Sequence, residues 1–251
     1  MTKKYDIIYS LGSNCACALY LNKNNLRNTS GPLDWVVGLD FKQKIDLILN
    51  DFKEYCNLED LEIITSKNEC NPHISCKNKK NGCYFFHDFP MNVPLETSYH
   101  QVAEKYERRI KRFYDNIYTK EKVLLVWFSL DIETPLEDIK QASEKLNKKF
   151  GKEINLLCIE HNENLSEKEI KIQKLSKNVT KIELYAKNHE NIEGFSKGNV
   201  KKCNKIFKQY ALKQPFAKVV KRQVIKILCN LIPIKSLRKK CRNQWLYEKN
   251  K

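Results

Sequence analysis

Three short runs, "KVLLVWFSL" (122–130), "INLLCIEHN" (154–162) and "VTKIELYA" (179–186), constrain the fold most. In the first two, apolar residues follow one another without polar alternation. A strand of that kind has to be covered on both faces. Helical patterns lie between and before the runs. "LDFKQKIDLILNDFKEY" carries Phe41, Ile45, Ile48, Leu49 and Phe52 at helical spacing, with Asp40 near its start. "SYHQVAEKYERRIKRFYDNIY" places Val102, Tyr106, Ile110 and Phe113 on one face, and "TPLEDIKQASEKLNKKFG" begins near a Pro and ends on Gly151. "GNVKKCNKIFKQYAL" also reads as a helix. Residues 59–82 look irregular and polar, and "NKKNG" signals a turn between "HISCK" and "CYFFHDF", a β-hairpin. The expected fold class is therefore α/β. It has three layers, a mostly parallel sheet with helices on both faces, and a basic amphipathic helix at the C-terminus.

The expected division is residues 1–214, an α/β domain with a cysteine-containing hairpin insertion near 66–86, and a tail, residues 215–251. The charge supports it: the tail has eleven Lys or Arg against one Glu, +10 of the chain's net +16. No signal-type apolar segment follows Met1, and no run of about 18 uncharged apolar residues exists to span a bilayer. A cytoplasmic location is expected. There the ten cysteines stay reduced and mostly behave as small hydrophobes.

The first strand-like run, "YDIIYS", is followed by "LGSNCACALYL". Gly12 permits a sharp turn, and Ser13 or Asn14 suits a helix N-cap. Cys15 then falls at the start of a helix and just past a strand's C-terminal end, where open α/β sheets carry their reactive groups. A helix N-terminus favours thiolate over thiol. The loop Gly12, Ser13, Asn14 and Cys15 suits a phosphate or sugar, or a developing oxyanion held by the N–H groups of Asn14 and Cys15 with the preceding turn. The plainer alternative is that Cys15 and Cys17 are packing residues. His87, closing the run "CYFFHDF", is the candidate base; Asp88, Asp34 and Asp131 are candidate orienters of its ring. His73, His100, His161 and His189 read as surface residues. Arg27, Asp34 and Trp35 could shape a pocket, or form a plain ion pair beside a core Trp. No cofactor is expected. Cys70, His73, Cys76 and Cys83 offer zinc-type donors, but their spacing matches no familiar zinc module.

The blocks "SLGSNC", "LRNTSGPLDW", "DFKQKIDLILNDF", "FFHDFP" and "YERRIKRF" together resemble a bacterial family of papain-like cysteine peptidases. The resemblance covers roughly Tyr5 to Phe128. It implies a Cys nucleophile and a His base in that chain order, which fall on Cys15 and His87. The family's usual "PFDW" stands here as "PLDW".

In the tail, Phe216, Val220, Val224, Ile227, Leu228 and Leu231 recur at three and four, with Lys221, Arg222 and Lys226 largely opposite. Arg238, Lys239, Lys240 and Trp245 follow. An apolar stripe, a basic face and an aromatic anchor describe an interfacial helix on an anionic membrane surface. Packing on the body and nucleic-acid binding are the competing readings, and no nucleic-acid fold supports the latter. The tail is similar to those of surface-polysaccharide assembly enzymes, which implies the inner face of the cytoplasmic membrane. The functional expectation is a cysteine hydrolase or acyl-transfer enzyme acting on a peptide, acyl or glycan substrate there. The alternatives are a transferase of surface-glycan biosynthesis and a non-catalytic peripheral scaffold.

Overall fold

The apolar runs become neighbouring strands of one sheet. The computed structural model describes residues 2–64, 73–186, 199–213, 224–225, 227–233, 236–238 and 241. Along the chain come β1 (Lys3–Tyr5), β2 (Ile7–Ser10), α1 (Ala16–Lys23), β3 (Val36–Val37), α2 (Phe41–Leu49), β4 (Leu61–Ile64), β5 (His73–Asn78) and β6 (Tyr84–Pro90). Then follow α3 (Leu95–Thr119), β7 (Val123–Ser129), α4 (Leu136–Phe150), β8 (Asn155–His161), β9 (Ile170–Lys174), β10 (Val179–Leu184), α5 (Val200–Phe207) and β11 (Tyr210–Leu212).

The main sheet has the order β2-β7-β8-β10-β9. Its first four strands are parallel, and β9 runs antiparallel on β10. Successive residues of β7 enter opposite cores. Leu125 and Trp127 join residues of α2, α3 and α4, whereas Leu124, Val126 and Phe128 join residues of α1 and α5. That alternation makes the three layers, and each fully buried side chain of this size contributes about 1.5–3 kcal/mol. The helices start and stop where their ends are satisfied. Asp40 and Gln43 exchange hydrogen bonds in a capping box on α2, and Gly151 ends α4 at φ +63°.

Three segments differ from the sequence reading. Residues 59–82 are not simply irregular, because β4 and β5 lie within them. They and β3 complete a four-stranded antiparallel sheet, β3-β6-β5-β4, in place of an isolated hairpin. The expected helix over 198–212 ends at Phe207, and Tyr210–Leu212 pairs in parallel with β1 instead. Finally, β9 supplies a half-exposed edge strand that alternation alone did not reveal.

Three buried charges organise the space between the sheet and α2 and α4. Glu160 on β8 accepts from Trp127 Nε1 at 2.9 Å and from Thr134 N at 3.2 Å, and pairs with Lys181 Nζ at 3.0 Å. Lys181 Nζ also donates to the Thr134 carbonyl at 3.0 Å. Lys44 on α2 is fully buried. Its Nζ donates to the Gly12 carbonyl and to the Val36 carbonyl, 6.0 Å from the centroid of the Trp127 ring. Burial lowers its pKa from the ordinary 10.5 to about 8, against the opposing influence of Cys83, Cys17 and Asp34.

The second unit comprises residues 213–251. Residues 224–225 and 227–230 are helical. Val224, Ile227, Leu228, Leu231 and Leu237 are exposed, and Arg238 Nε donates to the Ile232 carbonyl at 2.9 Å. Among the described residues no helix is long and apolar enough to cross a membrane.

Below pH 8 the cost of burying the Lys44 charge is fully present. Between pH 8 and 10.5 the unfolded chain holds a proton that the native chain has released, so stability rises with pH. The stability of the wild type relative to Lys44→Met is therefore expected to grow by about 3 kcal/mol over that range in urea titrations, and a flat difference would contradict a buried ammonium. Lys181→Met, which leaves Glu160 alone, is expected to cost about 3–5 kcal/mol in the same assay, with partial recovery when Glu160→Gln is added.

Candidate active site

The turn after β2 is built as a short continuation of the sheet. Leu11 N donates to the Val126 carbonyl at 2.7 Å and Ser13 N to the Phe128 carbonyl at 3.0 Å. Gly12 N meets Ser10 Oγ at 3.2 Å, and the Gly12 carbonyl accepts from Lys44. A Cβ at Gly12 would lie 2.3 Å from Cys17 Cβ, so a larger residue cannot enter without displacing α1. Asn14 rather than Cys15 supplies the side-chain cap, its Oδ1 accepting from Ala16 N at 2.9 Å. Cys15 occupies the N-cap position itself with helical backbone angles, φ −63° and ψ −15°.

The two thiols of "NCAC" have different fates. Cys17 is fully buried, and its Sγ donates to the Val126 carbonyl at 3.4 Å. Burial pushes its pKa up to about 12, which removes it from thiolate chemistry. Cys15 is only partly buried and stands at the positive end of α1.

Beside the turn lies a cleft of about 570 Å³, lined by Ser13, Asn14, Gly38, Gln43, Phe86 and Asp131 among others. Its walls are thus the turn after β2, the chain after β3, the first turn of α2, strand β6 and the loop after β7. That last loop is shaped by Ser129 Oγ, which accepts from Ile132 N at 2.9 Å, and by the grip of Glu160 and Lys181 on Thr134.

His87 follows Phe86 in β6 and is exposed. The β5–β6 register shifts there, between the pairs Ile74↔Phe89 and Cys76↔Phe85, so the strand is bulged around His87. Its ring stands edge-on to that of His73 at 6.3 Å. Asp88 instead turns inward, accepting from Lys105 Nζ and from the Tyr106 hydroxyl at 2.8 Å. Asp34, 1% exposed, accepts from Arg27 Nε at 2.8 Å, Arg27 Nη2 at 2.6 Å and Gly31 N at 2.9 Å. The Arg27 guanidinium lies 5.5 Å from the centroid of the Trp35 ring and also reaches Ser30 Oγ. Arg27, Asp34 and Trp35 therefore form a clamp that folds residues 27–35.

Of the zinc-type donors, Cys70 lies outside the described residues. Cys76 and Cys83 are buried in the core, and burial pushes their pKa values up to about 11 and 12. Among the described residues no group of three ligating side chains comes together. Of the basic and aromatic tail residues, Lys221, Arg222, Lys226, Lys239, Lys240 and Trp245 likewise lie outside the described residues.

Two residues escaped the sequence reading. Lys44 lies at i+3 from Phe41, inside the apolar stripe of α2, and that position was the available signal. His161 is not a plain surface residue. It is half-buried at the end of β8, where Nδ1 accepts from Ala186 N at 3.0 Å.

Comparison with known proteins places these features in a family. The profile described as putative papain-like cysteine peptidase (DUF1796) matches residues 6–164, which include the turn, Cys15, the cleft and His87. Uncharacterized protein R408 of Acanthamoeba polyphaga mimivirus is 32% identical over 134 residues, covering 48% of this chain and 60% of that protein. The chain thus aligns with less than two thirds of that relative's length. Because the profile takes in more than half of the chain, from β2 through β8, the protein belongs to the putative papain-like cysteine peptidase family.

Proposed function

We propose that the protein is a cysteine-dependent hydrolase or acyl-transfer enzyme with Cys15 as nucleophile and His87 as base. The observation that carries this reading is the contrast between the two thiols of the turn: Cys17 is sealed under α1, while Cys15 stands partly exposed at the helix's positive end. Neither Cys15 nor His87 is among the residues lining the cleft; their neighbours Asn14 and Phe86 are, and the bulge of β6 leaves the imidazole exposed.

In this mechanism His87 takes the Cys15 proton, and the thiolate attacks a carbonyl held in the cleft. The Asn14 and Cys15 N–H groups receive the developing oxyanion. His87 then protonates the leaving group, and a water molecule or a second acceptor releases the acyl group from sulfur. With Asp34 and Asp88 engaged in the framework, Asp131 at the cleft is the orienting carboxylate we favour. The substrate is an acylated or peptide-bearing precursor of the cell envelope. The tail would bring the enzyme to an anionic inner leaflet, a reading supported by the exposed Val224, Ile227, Leu228 and Leu231.

Alkylation with iodoacetamide across pH tests the nucleophile. Cys15 is expected to label well below pH 8 and ahead of every other thiol, with Cys17 inert. Labelling of Cys15 at the rate of an ordinary exposed cysteine would sink the assignment. On a panel of activated acyl esters, Cys15→Ala is expected to lose at least about a hundredfold in rate. Full retention would favour instead a transferase whose loop at Gly12–Cys15 binds phosphate or sugar.

For the tail, co-sedimentation with phosphatidylglycerol vesicles but not phosphatidylcholine vesicles is expected, weakening with salt. Ile227→Glu with Leu231→Glu is expected to abolish it; unchanged sedimentation would argue against an apolar contact.

A further inference from the structure

At the opposite edge of the main sheet, where the parallel strands begin, the structure holds a second cavity of about 500 Å³. That volume falls within the usual range for small-molecule sites. It shares no lining residue with the cleft beside Cys15.

Its chemistry is cationic and donor-rich. Five lysines line it against two glutamates. Lys177 and Glu153 offset one another as an exposed pair at 3.6 Å. Lys152 is occupied in the wall, donating to the Ile117 carbonyl and, at 2.7 Å, to the Lys120 carbonyl at the end of α3. Lys3 lies over the Tyr210 ring, 5.8 Å from its centroid. That leaves Lys4 and Lys122, whose ammonium groups have no partner among the described residues.

The back of the cavity is made by Tyr5 and Tyr210, brought together by the β1–β11 pairing with their rings stacked at 6.3 Å. Each is 7% exposed, and neither hydroxyl has a hydrogen-bond partner among the described residues. Neither hydroxyl is sealed from solvent, so both are free to donate to a group held in the cavity. Burial also raises both phenol pKa values, which keeps the hydroxyls protonated as donors.

We infer that this cavity binds a soluble phosphate-bearing small molecule, with its phosphate between Lys4 and Lys122 and its acceptor oxygens on the hydroxyls of Tyr5 and Tyr210. Phosphate fits better than carboxylate because several acceptor oxygens must meet two ammonium and two hydroxyl donors at once. The inference is independent of the chemistry proposed at Cys15.

Isothermal titration of the full chain with inorganic pyrophosphate, against sodium chloride at matched ionic strength, tests it. One saturable site is expected. Lys4→Gln with Lys122→Gln, both surface changes, is expected to weaken binding by about tenfold or more. Tyr210→Phe, which keeps the ring and removes the hydroxyl, is expected to weaken it severalfold while thermal unfolding stays near that of the wild type. Absence of saturable heat, or binding indifferent to all three substitutions, overturns the inference. A lipid headgroup is the other source of phosphate. If the lysine pair lowers sedimentation with phosphatidylglycerol vesicles while pyrophosphate gives no heat, the soluble-ligand inference fails. If the pair leaves vesicle binding unchanged and lowers pyrophosphate binding, it stands.

Discussion

An ammonium group sealed inside a protein has to be surrounded by oxygen, and the oxygens it finds decide which parts of the chain it holds together. Lys44 is such a group. Its two acceptors are the carbonyls of Gly12, in the turn that presents Cys15, and Val36, at the edge of the antiparallel sheet. One side chain on α2 therefore ties the C-terminal edge of the main sheet to the second sheet. The depth of that side chain is set in turn by where α2 begins, which the Asp40–Gln43 capping box fixes. Removing the amine would take a donor from each of two backbone carbonyls, a cost comparable to a lost hydrogen bond apiece. Gly12 completes the arrangement because α1 packs so closely that no Cβ fits between it and Cys17.

The far wall of the cleft is held in the same manner. Glu160 and Lys181 bind the amide and the carbonyl of Thr134, and Trp127 adds its indole N–H to the same carboxylate. The loop carrying Asp131 and Ile132 thus has a charged anchor a few residues downstream. Trp127 also lies near the Lys44 amine. A single aromatic residue of β7 therefore adjoins both polar anchors, and apolar packing around it excludes water that would otherwise weaken them. The cleft does not rest on loops alone. It rests on three buried charges gripping backbone, Lys44 on one side of the C-terminal edge of the sheet and the Glu160–Lys181 pair on the other.

Much of this framework was legible in the sequence. The strands β7 and β8 were readable because strands buried on both faces need no alternation and stand out as apolar runs, and β10 because its β-branched residues follow at the same spacing. Helix α4 was readable because Pro135 and Gly151 mark its ends. The short strands were harder for a physical reason. Tyr210–Leu212 is a strand only because Lys3–Tyr5 lies beside it, and no local signal reports a partner some two hundred residues away. The buried charges were visible as anomalies, Lys44 within a helical stripe and Glu160 and Lys181 within strands, but their partners are backbone groups that a sequence cannot point to. For the thiols, the sequence placed both cysteines at the turn. Helical phase then separates them, since Cys17 faces β7 and is buried while Cys15 is only partly buried.

Proximity in sequence was the weaker guide for the carboxylates. Asp88 follows His87 directly, yet the strand sends it into the core to meet Lys105 and Tyr106, while the bulge leaves His87 outside. Asp34 sits inside a quoted motif, yet three donors from Arg27 and Gly31 hold it in a clamp. In both cases the carboxylate is used to fold the segment that carries the motif. A group that orients a base has to come from an element whose direction is set independently, so that ring and carboxylate can approach from different sides. In a parallel sheet the adjacent strand provides this: β7 lies beside β2, and both chains emerge at the same edge. Asp131 follows β7 as Cys15 follows β2 and lines the cleft with Asn14, which is why the orienting carboxylate proposed above is taken from the cleft rather than from the motif.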